Sequence, residues 1–200
     1  AEAASLASEL YARSLVVDED QRIAFANDTM REFVYNDMNS LQRTALHLNA
    51  GQVLEAEAGS SPGALATHFY HGDDWSRSYG YAMEAACDAR RTAGHAEAAH
   101  FSRIAAEVAP GVPERVAALT TRAESLFAAG DLEDAATTYS RLVTFSRSIS
   151  AKDTAQAYLK LAETEIERCN WNGARRVIDE SRRVMEEVGA SEFELFLRAE

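Results

Sequence analysis

Residues 119–142 read LTTRAESLFAAGDLEDAATTYSRL, and their pattern decides the fold. Apolar residues recur three and four apart on either side of Gly130-Asp131. That spacing marks one face of a helix. A glycine just past a helical run stops it, and an aspartate beside it caps the next. So short a turn makes the two helices antiparallel neighbours. Ala123 stands where the first helix must be small, and Ala135 is the small contact in the second. Tyr139 and Leu142 fill the space behind it.

The same arrangement recurs on both sides. Residues 158–181, YLKLAETEIERCNWNGARRVIDES, offer Ala162, a Cys169-Asn170 turn, Ala174 and Ile178. Residues 86–110, ACDARRTAGHAEAAHFSRIAAEVAP, place Ala86 and Ala98 in the small positions and end in Pro110. One hairpin earlier, Ala66, Asp73-Asp74-Trp75 and Ser78 occupy similar slots. Ala98, Ala135 and Ala174 are 37 and 39 residues apart. A helix pair cannot bury its apolar face alone, and the next pair covers it. Residues 60–190 therefore resemble tetratricopeptide repeats, most closely over 116–147. The offsets slightly exceed that family's period of about 34 residues. The fold class expected is all-α: a tetratricopeptide-like α-α superhelix of antiparallel pairs, with a small β-hairpin near the amino terminus.

That hairpin rests on Leu15–Val17 and Ile23–Phe25, which flank the polar turn Asp18–Gln21. Four to five loop residues suit it. A helix over 3–13 precedes it. After it, Asp28 is expected to cap a short helix, and Asn39-Ser40 a longer one through Glu57. Leu41, Ala45, Leu48, Val53 and Leu54 form a rough apolar stripe on the second. Glycines and prolines at 59–63 break the chain. Helices follow at 64–71, 74–92, 95–108, 113–129, 132–148, 152–168, 171–188 and 191–200. Ala1 and Glu200 both fall inside helical patterns, so the sequence is expected to be part of a longer protein.

The 200 residues carry a formal net charge of -12, with 16 acidic and 8 basic side chains before residue 111 and 16 and 12 after it. Phosphate neutralisation needs a basic surplus, so neither nucleic acid nor an anionic membrane is an expected partner. No apolar run approaches the ~20 residues that span a bilayer. Cys87 and Cys169 form no pattern. They are expected to be thiols acting as small apolar residues in a reducing, cytoplasmic compartment.

Residues 25–55, FANDTMREFVYNDMNSLQRTALHLNAGQVLE, resemble the segment after the winged-helix domain of STAND-type signalling ATPases. These include ATP-dependent LuxR-type regulators and the ATPase-plus-repeat regions attached to some bacterial adenylate cyclases and protein kinases. The resemblance is carried by Phe25, Asn27-Asp28, Arg31-Glu32, Tyr35, Arg43 and Leu46-His47, with Asn27 standing where the family has histidine. GDDWSRSYGYAMEAA at 72–86 is similar to the family's first repeat. The resemblance implies a winged-helix remnant at 1–37 and a repeat domain at 38–200. The acidic wing Asp18-Glu19-Asp20, with only Arg13 on the helix before it, argues against DNA contact.

No phosphate-binding glycine loop is present, and no cofactor is expected. A catalytic ATPase domain, if there is one, would precede Ala1. His68 and His71 lie three apart beside Asp73 and Asp74, residue types that bind zinc. Nothing completes a shell around them, so no metal and no catalytic residue is assigned. The first helix of each pair lines one side of such a stack. There Ala117, Thr120, Glu124 and Phe127, then Gln156, Leu159, Glu163 and Glu167, would form a mildly acidic groove. It suits a basic or amphipathic segment of a protein or peptide partner, or of the parent polypeptide. The function expected is a non-enzymatic interaction scaffold, the sensor or autoinhibitory arm of a larger ATP-dependent regulator. The alternatives are a small-molecule effector sensor of a LuxR-type regulator and a DNA-binding winged-helix fragment.

Overall fold

A computed structural model describes residues 8–19, 22–57 and 59–188. It divides into two compact units, Ala1–Leu46 and His47–Glu200. Residues 3–7 of the helix expected at 3–13, and the helix expected at 191–200, lie outside the described residues.

In the first unit, residues 8–12 are helical and are followed by strands β1 (Val16–Glu19) and β2 (Arg22–Phe25). The strands pair antiparallel, with Val16 opposite Phe25 and Glu19 opposite Arg22. The loop is therefore shorter than expected, because Asp18 and Glu19 belong to the ladder. Helix α1 (Asp28–Asp37) is capped one residue earlier than expected. The Met30 amide donates to Asn27 Oδ1 at 2.8 Å, and Asp28 is the first helical residue. Asn27 takes the cap because its own backbone is extended there.

Helix α2 (Ser40–Ala56) opens with a reciprocal capping box. The Gln42 amide donates to Asn39 Oδ1, and the Asn39 amide donates to Gln42 Oε1, both at 2.9 Å. Its expected apolar stripe is only partly the packing face, with Leu48 and Leu54 half-buried and Leu41, Ala45 and Val53 exposed. Leu41 is 80% exposed and Val53 61%. Gly51 is buried instead, and a β-carbon there would lie 3.0 Å from the Phe69 ring. Backbone proximity, rather than leucine, seats this helix.

The second unit continues with α3 (Pro62–His71), α4 (Trp75–Arg91), α5 (His95–Val108), α6 (Val112–Ala129), α7 (Leu132–Ser146), α8 (Ala151–Glu167) and α9 (Trp171–Val188). From α3 to α9 consecutive helices pack chiefly on one another, as in a helical repeat. Ala66, Ala86, Ala98, Ala123 and Ala135 are fully buried, and Ala162 and Ala174 nearly so. Ser78 is buried too, and its hydroxyl donates to the Ala66 carbonyl at 3.1 Å, tying α4 to α3. Ser102 and Ser125 replace alanine at other buried positions. Their hydroxyls donate to carbonyls four residues back, at 2.6 and 2.7 Å, so no polar atom is stranded.

The turns repeat as closely as the alanines. Asp73, Ala93, Gly130 and Cys169 all have left-handed backbone conformations. In each turn that residue's amide reaches back three residues, and the next amide reaches back five. This Schellman geometry satisfies the carbonyls at the helix end. Gly130 adopts it freely, whereas Ala93 and Cys169 do so against a cost of about 1 kcal/mol. The recurrence at 93, 130 and 169 repeats the 37- and 39-residue offsets of the buried alanines.

Candidate functional site

The pairing of helices leaves recesses on two opposite sides of α7. On the first, α6 and α8 approach each other across α7. Thr120 and Glu124 from α6, Tyr139 and Leu142 from α7, and Asp153, Gln156 and Lys160 from α8 enclose about 150 Å³. Thr120, Glu124 and Gln156 thus lie together, since residues four apart on α6 and their counterpart on α8 face the same way. Glu163 is close enough to act on the Tyr139 hydroxyl. Burial, then the charges of Glu124 and Glu163, push that phenol up to about 12, against an opposing effect of Arg90. Tyr139 therefore stays protonated at any physiological pH.

Phe127, Leu159, Glu163 and Glu167 are not among the residues lining this recess, although the Glu163 charge reaches Tyr139. Phe127 is half-buried against Ala99, Leu126 and Ala135. Leu159 is half-buried, and Glu167 is exposed at the end of α8.

The recess is less acidic than the glutamates expected along it suggest. Arg90 of α4 pairs with Glu124 at 3.0 Å, and Lys160 pairs with Glu163 at 2.8 Å. Among the described residues the Asp153 carboxylate has no such partner. Arg90 and Lys160 escaped the sequence reading because they sit one helix pair away or one turn off the expected lining positions. The net result is a polar groove with an aromatic floor.

A second cluster forms at the start of this unit. His68 and His71 of α3 meet His47 of α2, rather than Asp73 and Asp74. His47 Nδ1 lies 3.2 Å from His68 Nδ1, and the His47 and His71 ring centres are 4.9 Å apart. Asp74 is occupied as the cap of α4, accepting from the Arg77 amide at 3.2 Å. Among the described residues no group of three or more His, Cys, Asp and Glu side chains is arranged to hold a metal ion. Burial, then the charge of His71 and for His47 also of His68, hold His47 and His68 below the ordinary imidazole value. Cys87 and Cys169 are free and exposed, so they do not serve as core residues as expected. Cys87 faces outward on α4, whose inner positions are held by Ala85, Ala86 and Ala89, and Cys169 lies in the turn between α8 and α9.

Among the described residues no helix is long and apolar enough to cross a membrane. No protein-family model and no curated protein sequence matches the chain. Among solved structures the chain is similar to the crystal structure of BtubC (BKLC) from P. vanneervenii. The identity is 10%, the match covers 78% of this chain and 76% of that one, and the TM-score is 0.45.

Proposed function

We propose that this chain is a non-enzymatic interaction scaffold, the sensor or autoinhibitory arm of a larger ATP-dependent signalling or transcriptional regulator. The observation that carries the reading is the groove over Tyr139, formed where two first helices of a repeating stack face each other. Grooves of this kind accept an extended or helical segment through a few anchoring contacts. An aromatic floor with polar walls and one carboxylate, Asp153, unpaired among the described residues suits an amphipathic segment with a basic flank.

The link to STAND-type ATPases rests on residues 25–47. Two of its motif residues make a defined contact, the Arg43 guanidinium lying 5.5 Å from the centre of the Tyr35 ring. Asn27, the motif's departure from histidine, is the cap of α1. These residues serve the local structure of the first unit, and the tetratricopeptide-like repeats follow as they do in that family.

A fluorescently labelled lysine–leucine amphipathic peptide tests the reading. The 200-residue chain should bind it saturably. Asp153→Lys combined with Gln156→Arg, two exposed positions on the groove wall, should abolish the binding while leaving the circular dichroism spectrum unchanged. Equal affinity in the double variant would remove the groove as the binding surface.

A further inference from the structure

The opposite side of α7 carries a larger recess of different chemistry. There α7 and α9 approach each other across α8 and enclose about 510 Å³. Small-molecule sites typically occupy about 300–1,000 Å³. Ala136, Leu161 and Val177 supply apolar walls, and three arginines, Arg141, Arg168 and Arg176, face two glutamates, Glu165 and Glu180.

The charges are not evenly matched. Arg168 donates to Glu165 at 3.1 Å and also pairs with Glu133. Glu165 accepts in addition from Asn170 at 2.7 Å. Glu180 accepts from Arg147 at 2.8 Å and from the Tyr158 hydroxyl at 3.1 Å. Both carboxylates are therefore engaged by residues other than Arg141 and Arg176. Among the described residues neither of these two arginines has an ion pair.

The next arginine inward is Arg122 of α6, whose Nε is buried with no hydrogen-bond partner among the described residues. Burial disfavours its charged form, and the neighbouring charges of Arg141 and Arg103 do so too, against Asp134 and Glu107. Asp134 and Glu107 balance Arg122 and Arg103, so among the described residues the uncompensated charge on this side rests with Arg141 and Arg176.

We propose that the recess between α7 and α9 is a binding site for a compact organic dianion, a dicarboxylate or a phosphate ester. Its acidic groups are held by Arg141 and Arg176. Guanidinium groups bind carboxylate and phosphate through two parallel hydrogen bonds, and such charge-assisted bonds are about twice as strong as neutral ones. The apolar walls then accommodate a short carbon chain between the acidic ends. Thr137 and Ser140 of α7 place hydroxyl-bearing side chains on the same lining. This site lies on the far side of α7 from the peptide groove, and its existence does not depend on that reading.

Titration calorimetry on the 200-residue chain tests it, with succinate, phosphoserine and inorganic pyrophosphate as probes. Sodium chloride at matched ionic strength controls for screening. At least one probe should bind saturably. The pattern among the three distinguishes carboxylate from phosphate recognition and shows whether a carbon chain is needed. Arg141→Ala and Arg176→Ala should each weaken binding about tenfold or more, as loss of a charge-assisted bond implies. Arg182→Ala with Arg183→Ala, exposed on α9 but outside the recess, should leave it unchanged. In the unaltered chain the amide resonances of Thr137, Ser140 and Gly173 should shift on titration, a readout that needs no variant. Failure of all three probes to bind, resonance changes elsewhere only, or equal affinity in the Arg141 and Arg176 variants would overturn the site. Asp153→Lys with Gln156→Arg should leave dianion binding intact, so the two proposals fail separately.

Discussion

Helix α2 and the pair α6–α7 are built from similar residues and use them in opposite ways. In the pair, Ala123, Ala135, Tyr139 and Leu142 face inward as expected, and Ala118 and Leu119 are fully buried beside them. In α2 the expected stripe is largely outside, and the helix is held by Gly51 against Phe69 and by Leu48 against Gly72. Apolar periodicity predicts the inner face where consecutive helices pack closely along their length. Among the described residues α2 has no such close neighbour, and there the closest backbone approach decides the face.

The largest effect that sharpens this contrast should come from Leu119→Ala. The side chain is fully enclosed in the main core cluster, so the substitution should cost about 2–5 kcal/mol, read from the denaturant midpoint. A cost below about 1 kcal/mol would mean that the stack is packed no more tightly than α2.

Gly72→Ala should come next. A β-carbon at Gly72 would lie 2.8 Å from the Leu48 amide nitrogen and 2.9 Å from its α-carbon. Backbone cannot step aside as a side chain can, so about 1–3 kcal/mol should be lost, as in an overpacked core. Unchanged stability would show that α2 is not held by this contact.

A smaller effect should appear on acidification. His47 and His68 titrate below 6.5 in the folded chain, so the unfolded chain takes up protons first. Stability is then full above about pH 6.5 and falls as pH drops through that value toward the folded-state values. Thermal melts between pH 7.5 and 5 should show the loss. His47→Gln should flatten the profile, and an unchanged profile would rule out the histidine cluster as its source.

The smallest effect should be that of Leu41→Ser. At 80% exposure the leucine contributes little, and the change should stay within about 0.5 kcal/mol by denaturant melt. A larger loss would mean that the exposed stripe of α2 is covered in solution.

Much of the stack was legible because its signals agree. Gly130-Asp131 marks a turn, Ala123 and Ala135 mark the crossing beside it, and both recur at the same offsets. Asp28 was misread as a cap because Asn27 and Asp28 are equally good cap residues, and only the extended backbone at Asn27 separates them. Of the groove residues, Thr120, Glu124 and Gln156 follow from helical spacing and the repeat offset. The partners of Glu124 and Glu163 do not, because Arg90 comes from α4 and Lys160 depends on how α8 is rotated. The histidine cluster was half legible. His68 and His71 share a helix face, but His47 is 21 residues away along the chain from His68.

By itself the sequence determined that this chain forms helix pairs with small residues at their crossings and turns every 37 to 39 residues. Those features depend on interactions between residues a few positions apart, which the order of residues specifies directly. Only the tertiary structure decided which charges meet across helices, that Gly51 and Gly72 seat α2, and that Arg141 and Arg176 line a recess with no carboxylate paired to them among the described residues. Those outcomes depend on the rotation and separation of packed helices, set by the sum of many side-chain contacts rather than by any local pattern.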